Sequence, residues 1–120
     1  MNDTGWRESA QQAQQAIVAA LGASEPEAAV AELSRGSECL EEALREAMAD
    51  AVLDGSSMRR VAEITGMAPN SVPPRLARSK LLGRYAGDGN ITAQSIAVAR
   101  HEAASGSPSM TFTPRRKDAQ

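Results

Sequence analysis

Residues 59–80 read RRVAEITGMAPNSVPPRLARSK, and the fold depends on how this stretch is divided. MRRVAEIT, preceded by Ser56 and Ser57 as caps, has the makings of a short helix that Gly66 would end. Pro69-Asn70-Ser71 opens a second helix that should run to about Leu81. Pro73 and Pro74 then stand inside that second helix, where proline ordinarily breaks the ladder. With Asn70 as N-cap they become the third and fourth helical residues. Amides that early have no intrahelical partner, so their missing N–H groups cost little. The prolines fix the opening turn.

Two short helices that cross closely need a small residue inside the first. They also need a glycine that accepts a left-handed backbone at the turn, and a branched apolar residue in the second. Ala62, Gly66 four residues on, and Val72 six further on meet those needs. Val61, Ile64, Met67 and Leu76 are expected to supply the remaining inward contacts. Upstream, Leu40, Leu44, Ala47, Met48, Ala51 and Val52 recur at three- and four-residue steps, the stripe of a supporting helix.

On these residues, the segment from about 38 to 84 resembles the helix-turn-helix superfamily of DNA-binding proteins in its three-helix bacterial form. VLDGSSMRRVAEITGMAPNSVPPRLAR is similar to small regulators and region-four-like modules of actinobacteria, their plasmids and phages. The resemblance implies that the second helix of the pair reads double-stranded DNA. Base readout would fall to Asn70, Ser71, Arg75 and Arg78, with Pro73 and Pro74 pressing apolar surface on a thymine methyl or a sugar. Ser57, Arg59, Arg60, Lys80 and Arg84 would contact phosphates. Arg75 has an alternative use as an internal ion pair. The competing reading of the whole cluster is a solvated basic face on an ordinary helical bundle.

Charge is split along the chain. Residues 1–55 carry Arg7, Arg35 and Arg45 against eleven acids, a balance of −8. Residues 56–84 carry six cations against Glu63 alone, +5, and the remainder adds +1 to leave the net −2. The two halves therefore suit different partners. An acidic N-terminal arm over 1–36 is expected to pack on the core or to pair two copies as a homodimer. Its sticky positions would be Trp6, Ile17, Val18, Leu21, Val30 and Leu33. A protein partner could use the same arm.

Within that arm one helix should run from Thr4 or Gly5 to Leu21. A second, EPEAAVAELSR, should be capped by Ser24 and closed by Gly36. Ser37 should then cap a third, ECLEEALREAMADAVLD, ending at Gly55, with Glu41, Glu42, Arg45 and Glu46 mostly off its apolar stripe and the paired carboxylates Glu41-Glu42 on a solvent face. Beyond Leu81, ITAQSIAVARHEAAS reads either as a helix capped by Thr92 or as half of a β-wing in which GRYA and ITAQSIAV pair across Gly87–Asn90, near residues 83–98. The polar tail, residues 105–120, has a disordered composition, and its PRRK could touch phosphates.

Trp6, Tyr85 and Phe112 are the only aromatics, so the core must be built from Ala, Leu, Val, Ile and Met, which favours helices. One cysteine, Cys39, leaves no internal disulfide or Cys-based metal cluster and reads as a small apolar residue. His101 is the single histidine, and no Ser/His/Asp set or phosphate-cradling glycine loop accompanies it. No cofactor and no catalysis are expected. MNDTGWRESAQQ lacks the basic-then-apolar order of a secretory leader and no long apolar run follows, so the expectation is a cytoplasmic, nucleoid-associated protein without membrane contact. The expected architecture is all-α: an arm over 1–36, a helix-turn-helix domain over 37–104, and a tail. The expected function is sequence-specific DNA binding as a transcriptional regulator, a repressor above all, or a plasmid or phage maintenance factor. The alternative is a helix-turn-helix scaffold that docks a protein.

Overall fold

The computed structural model describes residues 3–87 and 89–105. In chain order these form α1 (Asp3–Leu21), α2 (Pro26–Leu53), α3 (Met58–Thr65), a 3-10 turn (Pro69–Ser71), α4 (Val72–Ala77), a second 3-10 turn (Gly83–Tyr85) and α5 (Ala93–Ser105). No strand occurs among the described residues, so the architecture is all-α. No helix there is long and apolar enough to cross a membrane. Apart from Ser105, which closes α5, the expected tail lies outside the described residues, PRRK included.

Gly36 does not end a helix. α2 runs for 28 residues straight through it and through the expected 36/37 boundary. The reason is the neighbour on α1. A Cβ built at Gly36 would stand 3.0 Å from the Ala16 Cβ and 3.5 Å from the Ala13 carbonyl oxygen. The glycine is there for close approach, not for a left-handed turn. Its helix-propensity cost, about 1 kcal/mol, is offset by contact along the whole hairpin. The helix start also moves by one residue from the expectation: Glu25, not Ser24, is the N-cap, and Pro26 takes the first helical position.

The short link at residues 22–25 folds α1 back antiparallel on α2. Ser9, Ala13, Ala16, Gly36 and Ala43 are buried, so the seam is made of small residues that let two backbones approach. Two side-chain bonds set the register: the Cys39 thiol lies 3.8 Å from Gln12 Oε1, and the Trp6 indole N–H donates to Asp50 at 3.3 Å. α1 packs on α2 alone. The hairpin therefore projects, and the molecule measures 59 × 28 × 23 Å.

The larger apolar core lies at the other end, where the second half of α2 meets α3, α4 and α5. Met48, Ala49, Val52, Val61, Ala62, Val72, Leu76, Leu82, Ile91, Ile96 and Ala99 form one buried cluster. The stripe expected on α2 is only partly core. Met48 and Val52 are buried, Ala47 and Ala51 half-buried, and Leu40 is 56 % exposed because it precedes the core end of the helix. ITAQSIAV forms the start of α5, not a wing. Thr92 and Ser95 cap it reciprocally, each side-chain oxygen accepting from the other's backbone N–H, at 3.1 and 3.2 Å. GRYA becomes a 3-10 turn.

Candidate nucleic-acid interface

Ser57 is the N-cap of α3, its Oγ accepting from the Arg60 backbone N–H at 3.0 Å. Val61 and Ala62 point into the core, and Arg59, Arg60, Glu63 and Ile64 point out. Ile64 is thus not the inward contact that its type suggested: it is 67 % exposed. At about 100° per residue it sits with Arg60 on the far side of α3 from Val61 and Ala62. Gly66 ends α3 with φ 76° and ψ 8°, the left-handed backbone required of that position, and its N–H closes on the Ala62 carbonyl.

The segment after the turn is shorter and begins later than the spacing suggested. Pro69–Ser71 is a 3-10 turn in which Asn70 is exposed, and α4 itself covers only Val72–Ala77. Ser71, not Asn70, is the N-cap. Pro73 and Pro74 lie half-buried in the first turn, where they cost no ladder bond. α4 stops before Leu81 because its last turn is taken over by side chains. The Ser79 Oγ donates to the Leu76 carbonyl at 2.7 Å and accepts from the Leu82 N–H at 3.0 Å. Glu46, only 5 % exposed, accepts from the backbone N–H groups of Lys80 and Leu81 at 2.7 and 3.4 Å.

The acidic face of α2 is therefore not a solvent face. Glu41 binds the Arg75 guanidinium, and Glu42 lies 3.5 Å from Lys80 Nζ. Val72 and Leu76 are fully buried, which turns Arg75 sideways toward α2 and leaves Pro74 and Arg78, one turn apart, facing outward. Arg75 takes its alternative use, an internal ion pair that holds α4 on α2. The Lys80 pair is 82 % exposed on the lysine side and holds nothing firmly.

Arg78 is exposed at the end of α4, and neither it nor Arg59 has an ion-pair partner among the described residues. Arg60 pairs with Glu63 at 3.3 Å on an open surface. Arg84 is turned away toward α5. It donates to Glu102 at 3.1 Å and to the Tyr85 hydroxyl at 2.9 Å, and it stacks over the Tyr85 ring. The Tyr85 hydroxyl donates to Glu102 at 2.7 Å. Burial, then that carboxylate, raises its pKa, so the phenol keeps its proton.

Two structural residues escaped the sequence reading. Glu46 looks like one more surface acid until α4 is placed above it. Arg100 donates to the carbonyls of Val52 and Ser56 at 2.9 and 3.0 Å, tying α5 to the link before α3. With Ser56, Ser57 and Arg59, it lines a shallow groove at the α3 N-terminus. Cys39 is half-buried, and His101 is exposed on α5. Among the described residues no group of His, Cys, Asp or Glu could hold a metal ion. Comparison with protein-family models, curated proteins and solved structures finds no match for the chain.

Proposed function

We propose that α3 and α4 form a helix-turn-helix that binds double-stranded DNA in a sequence-specific manner, and that the protein acts as a transcriptional regulator, a repressor or a plasmid or phage maintenance factor. One observation carries this reading. Two short helices pack through Val61, Ala62, Val72 and Leu76 across a left-handed glycine, and the outward side of the second presents Pro74 and Arg78. That side is free of acids, and Asn70 stands exposed at its start. Asn and Arg are the side chains that make bidentate bonds to adenine and guanine edges.

The division of labour differs from the one that the resemblance implied. Arg78 and Asn70 read bases, and Pro73 and Pro74 offer apolar contact. Ser71 lies between them as the cap, and Arg75 positions α4. Arg59, Arg60 and Lys80 contact phosphates in this reading, with Ser57 and its neighbouring backbone amides at the α3 N-terminus. Arg84 adds to the local field only.

A second reading draws on the ion pairs. Arg60, Arg75, Lys80 and Arg84 all have acidic partners, which weakens the positive field that DNA binding uses. The same scaffold could then dock a protein through the exposed Ile64 on α3. Selecting bound fragments from random duplex DNA separates the two. Enrichment of one sequence is the DNA outcome, and recovery of no DNA at low salt is the protein-docking outcome. On an enriched site, Arg78→Ala should cost about 1–3 kcal/mol and relax one base position, whereas Arg60→Ala should weaken all sequences alike. Equal losses on specific and random DNA for both variants would refute the assignment.

A further inference from the structure

The hairpin of α1 and α2 is assembled with its small residues inside and its large ones outside. Its seam holds Ser9, Ala13, Ala16, Gly36 and Ala43. Meanwhile Ile17 is 46 % exposed, Val18 63 %, Leu21 82 %, Val30 66 %, Leu33 51 % and Leu40 56 %. A hairpin that buries so little by itself, yet carries six large aliphatic side chains, has its main apolar surface still uncovered.

Five of those six share one side. Ile17 and Leu21 each follow a seam position of α1, Ala16 and Ala20, by one residue. Val30, Leu33 and Leu40 likewise follow Ala29, Glu32 and Cys39 on α2. One residue is about 100° of turn. Reversing a helix reverses both its sense of rotation and the direction in which it faces its neighbour. The residue after each seam position therefore falls on the same side of both antiparallel helices. Ala10, Gln14 and Ser37 occupy the same register, so the side from residue 10 to residue 40 carries no charge. On α1 no residue from Ser9 to Leu21 is charged, and the run continues through the link to Ser24. Glu27 and Glu38 fall at other registers of α2, and Glu41, just past Leu40, is bound by Arg75.

We propose that this side of the hairpin pairs with the same side of a second copy of the chain, closing a four-helix bundle around Ile17, Leu21, Val30, Leu33 and Leu40. Area is one reason. The exposed fractions correspond to on the order of 500 Å² of apolar side chain, about the apolar share of a standard interface of ~800 Å² per partner. Charge is the other. Residues 1–55 carry a balance of −8, which repels nucleic acid and acidic proteins. A two-fold contact that sets α1 of each copy on α2 of the other leaves the two α2 helices diagonal across the bundle and keeps their carboxylates apart. The shallow groove on α1 lined by Gln11, Gln14, Gln15 and Val18 lies beside this contact. The pairing goes beyond the DNA reading and stands without it.

Sedimentation equilibrium of the full chain from about 1 to 100 μM, in the absence of nucleic acid, tests the pairing. The expected species is a dimer of the 12.6-kDa chain. Leu33→Glu, Leu33→Lys and Ile17→Lys should each raise its dissociation constant roughly 100-fold or more, with helicity by circular dichroism unchanged. Using both charge signs at position 33 separates lost burial from repulsion by the acidic arm. Ile64→Lys, on α3, should leave the dimer intact. Should a charged variant lose helicity, Ile17→Ala with Leu33→Ala replaces it and should still weaken the dimer. A monomer throughout the range overturns the proposal and assigns the face to another protein or to residues 106–120 of the same chain. A dimer indifferent to the Leu33 and Ile17 variants, or abolished by Ile64→Lys, overturns it as well.

Discussion

Replacing Gly66 by alanine isolates the backbone geometry on which the α3–α4 pair depends. The residue holds φ 76° and ψ 8°, and a Cβ built there meets nothing within 4 Å. Steric overlap with the rest of the protein is therefore absent, and only the intrinsic cost of the left-handed conformation remains. That cost is roughly 1–2 kcal/mol for a residue with a Cβ. Part of it is recovered because alanine lowers the entropy of the unfolded chain, which is worth about 0.4–1 kcal/mol at compatible positions. The net destabilisation should be about 1 kcal/mol, or a fall of roughly 4–8 °C in Tm for a domain of this size. Gly66→Asn should lose less, since asparagine tolerates the left-handed region better than other side chains. Urea unfolding followed at 222 nm, with an unchanged slope and a shifted midpoint, is the assay. An alanine variant as stable as the parent, or an asparagine variant worse than alanine, would refute the left-handed turn.

Two further substitutions probe the rest of the framework. Gly36→Leu should force α1 off α2, since the first side-chain atom already lies 3.0 Å from the Ala16 Cβ. A loss of about 1–3 kcal/mol is expected in urea unfolding, and an unchanged midpoint would contradict the close approach of the two helices. Glu46→Ala strips the acceptor from the Lys80 and Leu81 amides and should cost about 1–3 kcal/mol. Amide exchange should rise at residues 80 and 81 first, and uniform exchange would contradict the cap.

The turn was legible in the sequence because backbone chemistry decides it. Gly66 has few conformational competitors, and Ser57, Pro73 and Pro74 are confined to helix openings by the hydrogen bonds they can or cannot make. Gly36 departs from the expectation because glycine serves two physical ends. At a helix terminus it supplies a left-handed backbone, and in a helix interior it makes room for a neighbour. Only the neighbour, Ala16 on α1, tells which applies. Arg75 and Glu41 are 34 residues apart, and no local pattern pairs them. For the same reason no local pattern shows that Glu46 is buried and Ile64 exposed. Spacing locates the faces of a helix, but the side that is covered is settled by long-range packing.

Salt dependence of duplex binding tests the central claim most directly. Fluorescence anisotropy of a labelled mixed-sequence duplex, titrated with the protein at several salt concentrations, reads both affinity and phosphate contacts. With three phosphates met per chain by Arg59, Arg60 and Lys80, log Kobs should fall against log salt with a slope of about −3. A duplex left unbound at low salt, or bound with no dependence on salt, would contradict DNA as the ligand of α3 and α4.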